Sequence, residues 1–270
     1  MLASLVVYLK PRTGVSDPVN SGQALHAAFL SLVARVSPRL AAELHGGSPT
    51  KPFTLSCLQQ QPERHPEAAP PASSGVFWFR VTTLTKPLFS AVDEALHGYL
   101  STGESIQLGQ NASFQIVSVQ TSCTGRHSWS NLTSFSDLYE LAKAASEITL
   151  QFCSPATFKQ RAKNVPLPLP SLVFASYLQK WNAFSPVKFE RASLLSWVED
   201  NVAIEQHRIA TTMVSFGRFR LVGFTGVCRY RALKDDTDRL KALNALADFA
   251  FYCGTGAKTT MGMGQTRRLK

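Results

Sequence analysis

Two histidines, one lysine, a set of alternating arginines and a glycine-rich stretch near the C-terminus are the residues of this chain whose types and spacing can do chemistry. His45 closes the run Leu40-Ala41-Ala42-Glu43-Leu44-His45 immediately before Gly46-Gly47. That position reads as a helix exit, where the chain turns and side chains reach the surface. Lys51 follows shortly after. An imidazole with a nearby ammonium is a minimal set for metal-free RNA cleavage. The imidazole takes the proton of a 2′-hydroxyl or supplies that of the leaving oxygen, and the ammonium stabilises the charge of the phosphorane. By itself the pair is a weak signal, and an ordinary surface histidine is the plainer reading. His26 lies in an apolar helical pattern between Leu25 and Phe29, where an imidazole more often packs or faces solvent than catalyses. No spacing of His, Asp, Glu or Cys suggests a metal site, and no cofactor motif is present.

Gly254, Gly256, Gly262 and Gly264 are interleaved with Lys258, Thr259 and Thr260 and run into Arg267 and Arg268. Glycine lets backbone approach a ligand closely and turn amides towards phosphate, while the cations hold a polyanion. A glycine hairpin that closes a sheet is the competing reading. A nucleotide P-loop is disfavoured, because Ala257 stands before Lys258 where such a loop needs glycine. Arg218 and Arg220 alternate with Phe219 and Leu221, and Arg229 and Arg231 with Cys228 and Tyr230. On strands, each pair projects from one face and suits phosphate contacts, or equally a solvated face.

The composition narrows the partner. Of 270 residues, 44% are hydrophobic and 17% charged, which excludes a disordered chain. No apolar run approaches the roughly 18 residues of a membrane span. Lys and Arg exceed Asp and Glu to leave a net charge of +10, which favours a polyanion, nucleic acid first. The five cysteines are widely spaced, without the pairs of a zinc ribbon or redox motif, and read as thiols in a reducing cytoplasm. The opening run from Leu2 to Leu9 is too short and wrongly flanked for a signal peptide, so the sequons at Asn111 and Asn131 read as chance.

The elements that must position these residues follow from periodicity. Leu5 to Leu9 reads as a strand, and Asn20-Ser21 as the cap of a helix with apolar residues at Leu25, Phe29, Leu32, Val33, Val36 and Leu40. Phe53 to Leu58 and Val76 to Thr83 read as strands around an exposed proline-rich loop. A helix over Leu88, Val92, Leu96 and Tyr99 and a strand at Phe114 to Val117 complete a βαββαβ order. A Ser, Thr and Asn-rich joint follows, with a short helix from about Asp137. The pattern then restarts with a strand at Ile148 to Phe152, a helix from Leu172 to Phe184, two strands within Ile209 to Ala232, and a helix over Leu240 to Phe251. Glycines and a basic tail close the chain. The expected fold is α+β: two tandem ferredoxin-like (RRM-like) domains, at residues 1–122 and 146–270, with residues 123–145 as a linker carrying the short helix.

Three stretches together resemble the CRISPR-associated repeat endoribonucleases, the Cas-six family. They are Leu40 to Ser56 with His45 and Lys51, Ile148 to Phe158 continued by Leu167-Pro168 and Trp181-Asn182, and Gly254 to Gly264, which looks like the family's terminal glycine-rich signature. The resemblance implies a tandem ferredoxin-like protein that binds CRISPR repeat RNA and cuts the precursor once per repeat without metal. The products are a 5′-hydroxyl end and a 2′,3′-cyclic phosphate, and the protein can remain as a subunit beside other Cas proteins. It gives His45 the general acid/base position and Lys51 the stabilising one. Some members use a tyrosine on the first helix, and no tyrosine stands between Tyr8 and Tyr99 here. Others use a histidine on that helix, which raises His26. A non-catalytic RNA-binding subunit is the alternative.

Overall fold

The computed structural model describes residues 1–12, 21–60, 75–109, 112–122, 129–217 and 219–269. Arg218, Cys123, the bulk of the proline-rich loop, and Asn20 of the expected first helix cap lie outside the described residues. The chain divides into two compact units, one of Leu2–Leu132 with Thr260–Gly262 and the other of Thr133–Thr259 with Met263–Lys270 and Met1.

The first unit begins with β1 (Leu2–Pro11), α1 (Ser21–Val36) and α2 (Pro38–His45). The single expected helix is broken at Ser37-Pro38, because proline has no N–H to donate and its ring clashes with the carbonyl one turn back. The interruption becomes a new start: the Ser37 hydroxyl accepts from the Leu40 amide, and Pro38 occupies the first turn of α2. Ala41 and Leu44 anchor α2 to the core, and Gly46 ends it.

There follow β2 (Phe53–Leu55), β3 (Gln59–Gln60), β4 (Phe77–Thr83), α3 (Lys86–Thr102), β5 (Ser105–Leu108), β6 (Ala112–Gln120) and β7 (Asn131–Thr133). The main sheet runs in the order β2-β4-β1-β6-β5, with β3 beside β4 and β7 beside β1. The path β6-β1-β4-β2 is the ferredoxin-like order, and β5 adds a hairpin to one edge. Val7 pairs with Phe79 on one side and Val119 on the other, which fixes the register at the sheet's centre. One sheet face, carrying Leu5, Val7, Leu9, Phe77, Phe79 and Val81, meets Leu25, Phe29, Val33, Leu88 and Val92 of the helices. Period-two side chains thus meet a helical stripe.

The second unit contains α4 (Phe135–Glu140), β8 (Glu147–Ala156), β9 (Phe158–Gln160), β10 (Lys163–Val165), α5 (Pro170–Phe184), α6 (Arg191–Asn201), β11 (Val202–Ser215), β12 (Arg220–Ala232), α7 (Thr237–Cys253) and β13 (Thr266–Leu269). Its sheet runs β11-β12-β8-β13, again the ferredoxin-like order. The short helix expected in the joint, α4, packs inside this unit, with Phe135 edge-on to Trp181 and 5.3 Å from the Phe249 ring. Two expectations change. The first strand of the long hairpin starts at Val202 rather than within the stretch from Ile209, because Glu205, Gln206, His207 and Arg208 are exposed on an edge strand and break the apolar pattern. The basic tail is a strand: Arg267 pairs with Gln151 and Arg268 with Leu150 along β8. Its four residues carry too little apolar alternation to read as β, so the main-chain ladder sets their conformation.

Candidate functional site

His45 is the last residue of α2 and is exposed. The Lys51 ammonium reaches back to the chain on either side of it, donating to the Leu44 carbonyl at 2.7 Å and to the Gly46 carbonyl. Helix-terminal carbonyls carry partial negative charge and lack intrahelical donors, so a lysine there satisfies both needs. Two of its three N–H donors hold the helix exit, which leaves one for a phosphate oxygen beside the imidazole. The sequence spacing of His45 and Lys51 therefore becomes a local cradle: proline starts the helix, glycine stops it, and lysine pins the stop.

His26 sits half-buried on α1, stacked on Phe53 with ring centroids 5.8 Å apart and an interplanar angle of 21°. Its Nδ1 lies 3.1 Å from the Thr260 carbonyl oxygen. Thr260–Gly262 belongs to the same unit as α1, and the fit is close. A Cβ on Gly22 would stand 2.2 Å from the Met261 carbonyl oxygen, and one on Gly262 would stand 2.2 Å from the Cys57 sulfur. Gly262 also bridges to Ser56. No residue pattern signals that a glycine-rich C-terminal stretch meets the first helix, since such pairing depends on tertiary contact alone.

Glycines in this stretch are expected to turn amides towards phosphate. In the structure most of those amides serve the protein: Thr255 donates to the Gly264 carbonyl at 2.7 Å, Ala257 to Thr157 at 2.9 Å and Gly264 to Pro155 at 2.9 Å, while Gly256 donates to the Ser176 hydroxyl. Gly254, Gly262 and Gly264 are buried. Gly256 and Gly264 have φ of 73° and 70°, and a Cβ on either would come within 2.2 Å of a carbonyl oxygen. Close backbone approach is indeed why glycine stands there, but the approach is to the chain's own backbone. Beneath the loop, the Lys180 ammonium donates to the Cys253 carbonyl and, at 3.0 Å, to the Thr259 hydroxyl. Burial pulls its pKa down. Tyr177, Thr255 and Thr266 form a buried hydroxyl chain at 2.6 and 2.7 Å. Burial pushes the Tyr177 phenol up, so it remains a donor. Lys258 is exposed, in a left-handed conformation, with its ammonium 5.4 Å from the centre of the Phe219 ring.

The remaining cations divide by their partners. Arg220 is exposed near the tip of the β11-β12 hairpin. Arg229 and Arg231 share a face opposite the buried Cys228 and Tyr230, as strand alternation requires. Arg231 lies 2.5 Å from both Glu205 and Glu147, and those contacts, Glu205 first, raise its pKa; Arg229 is 3.9 Å from Glu205. Arg267 donates to Gln151 at 2.8 Å, and Arg268 pairs with Asp248 at 3.3 Å and with Asn244. Sequence reasoning missed His207 and Arg208, which with Gln206, Thr149, Val227 and Arg229 line a cavity of about 150 Å³ on this face. An earlier start to β11 would have revealed Arg208.

Among the described residues, no group of three or more His, Cys, Asp or Glu side chains could hold a metal ion, and no helix is long and apolar enough to cross a membrane. Residues 1–140 match the family model for the CRISPR Cas6 N-terminal domain, and residues 150–266 match that for CRISPR-associated endoribonuclease Cas6. A solved Cas6 product complex is 32% identical to this chain, covers all of both chains and superposes with a TM-score of 0.85. Thermus thermophilus Cas6 is 29% identical, covers 100% of this chain and 98% of its own, and gives a TM-score of 0.76. Two proteins of Mycobacterium tuberculosis strains, described as CRISPR-associated endoribonuclease Cas6, are 29% identical over 150 residues, or 55% of this chain; the match spans about half their length, 48%. From first strand to last, the chain belongs to the CRISPR-associated endoribonuclease Cas6 family.

Proposed function

We propose that this protein binds CRISPR repeat RNA in the cytoplasm and cuts the precursor transcript once per repeat, by metal-free transfer of the 2′-oxygen onto the adjacent phosphorus. The observation that carries this reading is the pinned helix exit, where Lys51 holds the carbonyls before and after an exposed His45. In the reaction the 2′-oxygen bonds to phosphorus as its proton passes to a neutral imidazole. The bond to the 5′-oxygen breaks as that oxygen takes a proton from an imidazolium. The products are a 2′,3′-cyclic phosphate and a 5′-hydroxyl, and no electron or water is consumed. His45 and His26 are the two imidazoles, and Lys51 offers its remaining N–H to the phosphorane. Arg220, Lys258, Arg229, Arg267 and Arg268, with Arg208, supply charge for the RNA backbone. The other site residues picked from the sequence are Arg218, which adds charge, Arg231, which orders the arginine face through its carboxylates, and Thr259 with Gly254, Gly256, Gly262 and Gly264, which shape the loop behind Lys258. Continued residence on the mature guide RNA, beside other Cas subunits, is part of the same reading.

The test is incubation with labelled repeat RNA in excess chelator. One discrete cut is expected, and a 2′-deoxy nucleotide at that position should abolish cutting while sparing binding. A gel shift with the RNA left intact would identify a binding subunit instead.

A further inference from the structure

A carbonyl oxygen can only accept a hydrogen bond, so an imidazole nitrogen bonded to one must carry the proton. His26 presents Nδ1 to the Thr260 carbonyl at 3.1 Å. The ring is further held against Phe53, which limits a flip that would put Cδ2 in place of Nδ1 at the carbonyl. The carbonyl is held in turn. The Met261 backbone lies against Gly22 so closely that a methyl group there would overlap its carbonyl oxygen at 2.2 Å. Gly262 has φ of 93°, open to glycine but strained for other residues; it lies against Cys57 and bridges to Ser56 at the end of β2. Both anchors belong to the same compact unit as His26.

We infer that the Thr260 carbonyl fixes the His26 proton on Nδ1, so that Nε2 is the nitrogen that exchanges protons with the RNA, and that Gly22 and Gly262 are the positions that make this possible. The inference rests on the cleavage reading above and sharpens it. In the neutral ring Nε2 then bears the lone pair, as a base for the 2′-hydroxyl requires; in the imidazolium Nδ1 keeps its bond and Nε2 carries the transferable proton. Thr260 acts through its main chain, so it is a positioning residue whose side chain is dispensable.

Long-range proton–nitrogen spectra of the ¹⁵N-labelled protein read the ring directly, about two pH units above the ordinary histidine value of about 6.5. The His26 signals are identified by their loss in His26→Asn. Protonated Nδ1 and unprotonated Nε2 are expected; the opposite tautomer overturns the inference without any appeal to activity. Gly22→Ala supplies the second arm, because alanine is a better helix former than glycine and is compatible with the first turn of α1, yet must push the 260–262 segment away. It should convert part of the His26 population to the other tautomer and slow cleavage about tenfold or more, within the roughly 10²–10⁴-fold value of proton transfer, at unchanged affinity for repeat RNA. A folded Gly22→Ala protein with wild-type tautomer and rate overturns the inference. If that variant does not fold, the wild-type spectrum decides alone. Failure of the wild-type protein to cut repeat RNA sinks the cleavage reading and leaves the tautomer result standing.

Discussion

An imidazole is most useful as a proton carrier when its backbone does not move and its ring can reach solvent, and the last residue of a pinned helix meets both conditions. His45 is exposed while Lys51 fixes the carbonyls on either side. His45→Ala should therefore slow repeat cleavage about 10²–10⁴-fold and leave the dissociation constant for repeat RNA within about twofold. Single-turnover rates and a filter-binding titration check the two halves separately. Full activity would move proton transfer to other groups. That His45 stands exposed at a helix exit was legible in the sequence, because the helix and its glycine stop are local. The contact of His26 with Thr260 was not legible, since nothing in either segment encodes the other.

At the scale of elements, capping carboxylates make two helices of the second unit sensitive to acid. Glu190 accepts from the amides of Ala192 and Ser193 at the start of α6, and Asp236 accepts from Arg239 at the start of α7. These bonds hold both carboxyl groups below their ordinary pKa. The unfolded chain thus binds protons more readily than the folded one, so the stability these caps contribute is present above the ordinary carboxylate range near about 4 and is lost as pH falls from there through the lower folded-state values. Amide exchange measured between neutral pH and about pH 3 should show the first turns of α6 and α7 losing protection early, and Glu190→Gln should remove that dependence from α6 alone. Strand β13 makes a different prediction. Converting Arg267 and Arg268 to Gln should weaken RNA binding and lower the slope of log affinity against log salt by roughly one for each phosphate no longer neutralised. An unchanged slope would show that Gln151, Asp248 and Asn244 account for both side chains. The βαββαβ order of the first unit and the restart of the pattern in the second were readable from periodicity, because their apolar faces are amphipathic. The limits of β11 and the whole of β13 were not, since polar edge strands take their conformation from their neighbours' main chains.

For the whole molecule, the order in which residues appear matters as much as where they end up. The first unit is built from Leu2–Leu132, yet it also contains Thr260–Gly262, and the hydrogen bond at His26 joins residues 234 positions apart. Contacts of such long range carry a higher loop-closure cost than local ones and form slowly compared with helices and hairpins. During synthesis the first unit therefore waits for its remaining three residues until Thr133–Thr259 of the second unit has been made. A nascent or prematurely terminated chain can present the first helix and its histidine, but without the carbonyl that orients the ring. On the cleavage reading proposed above, a chain that stops before residue 260 should therefore cut repeat RNA more slowly than the full chain, even where its first helix has formed.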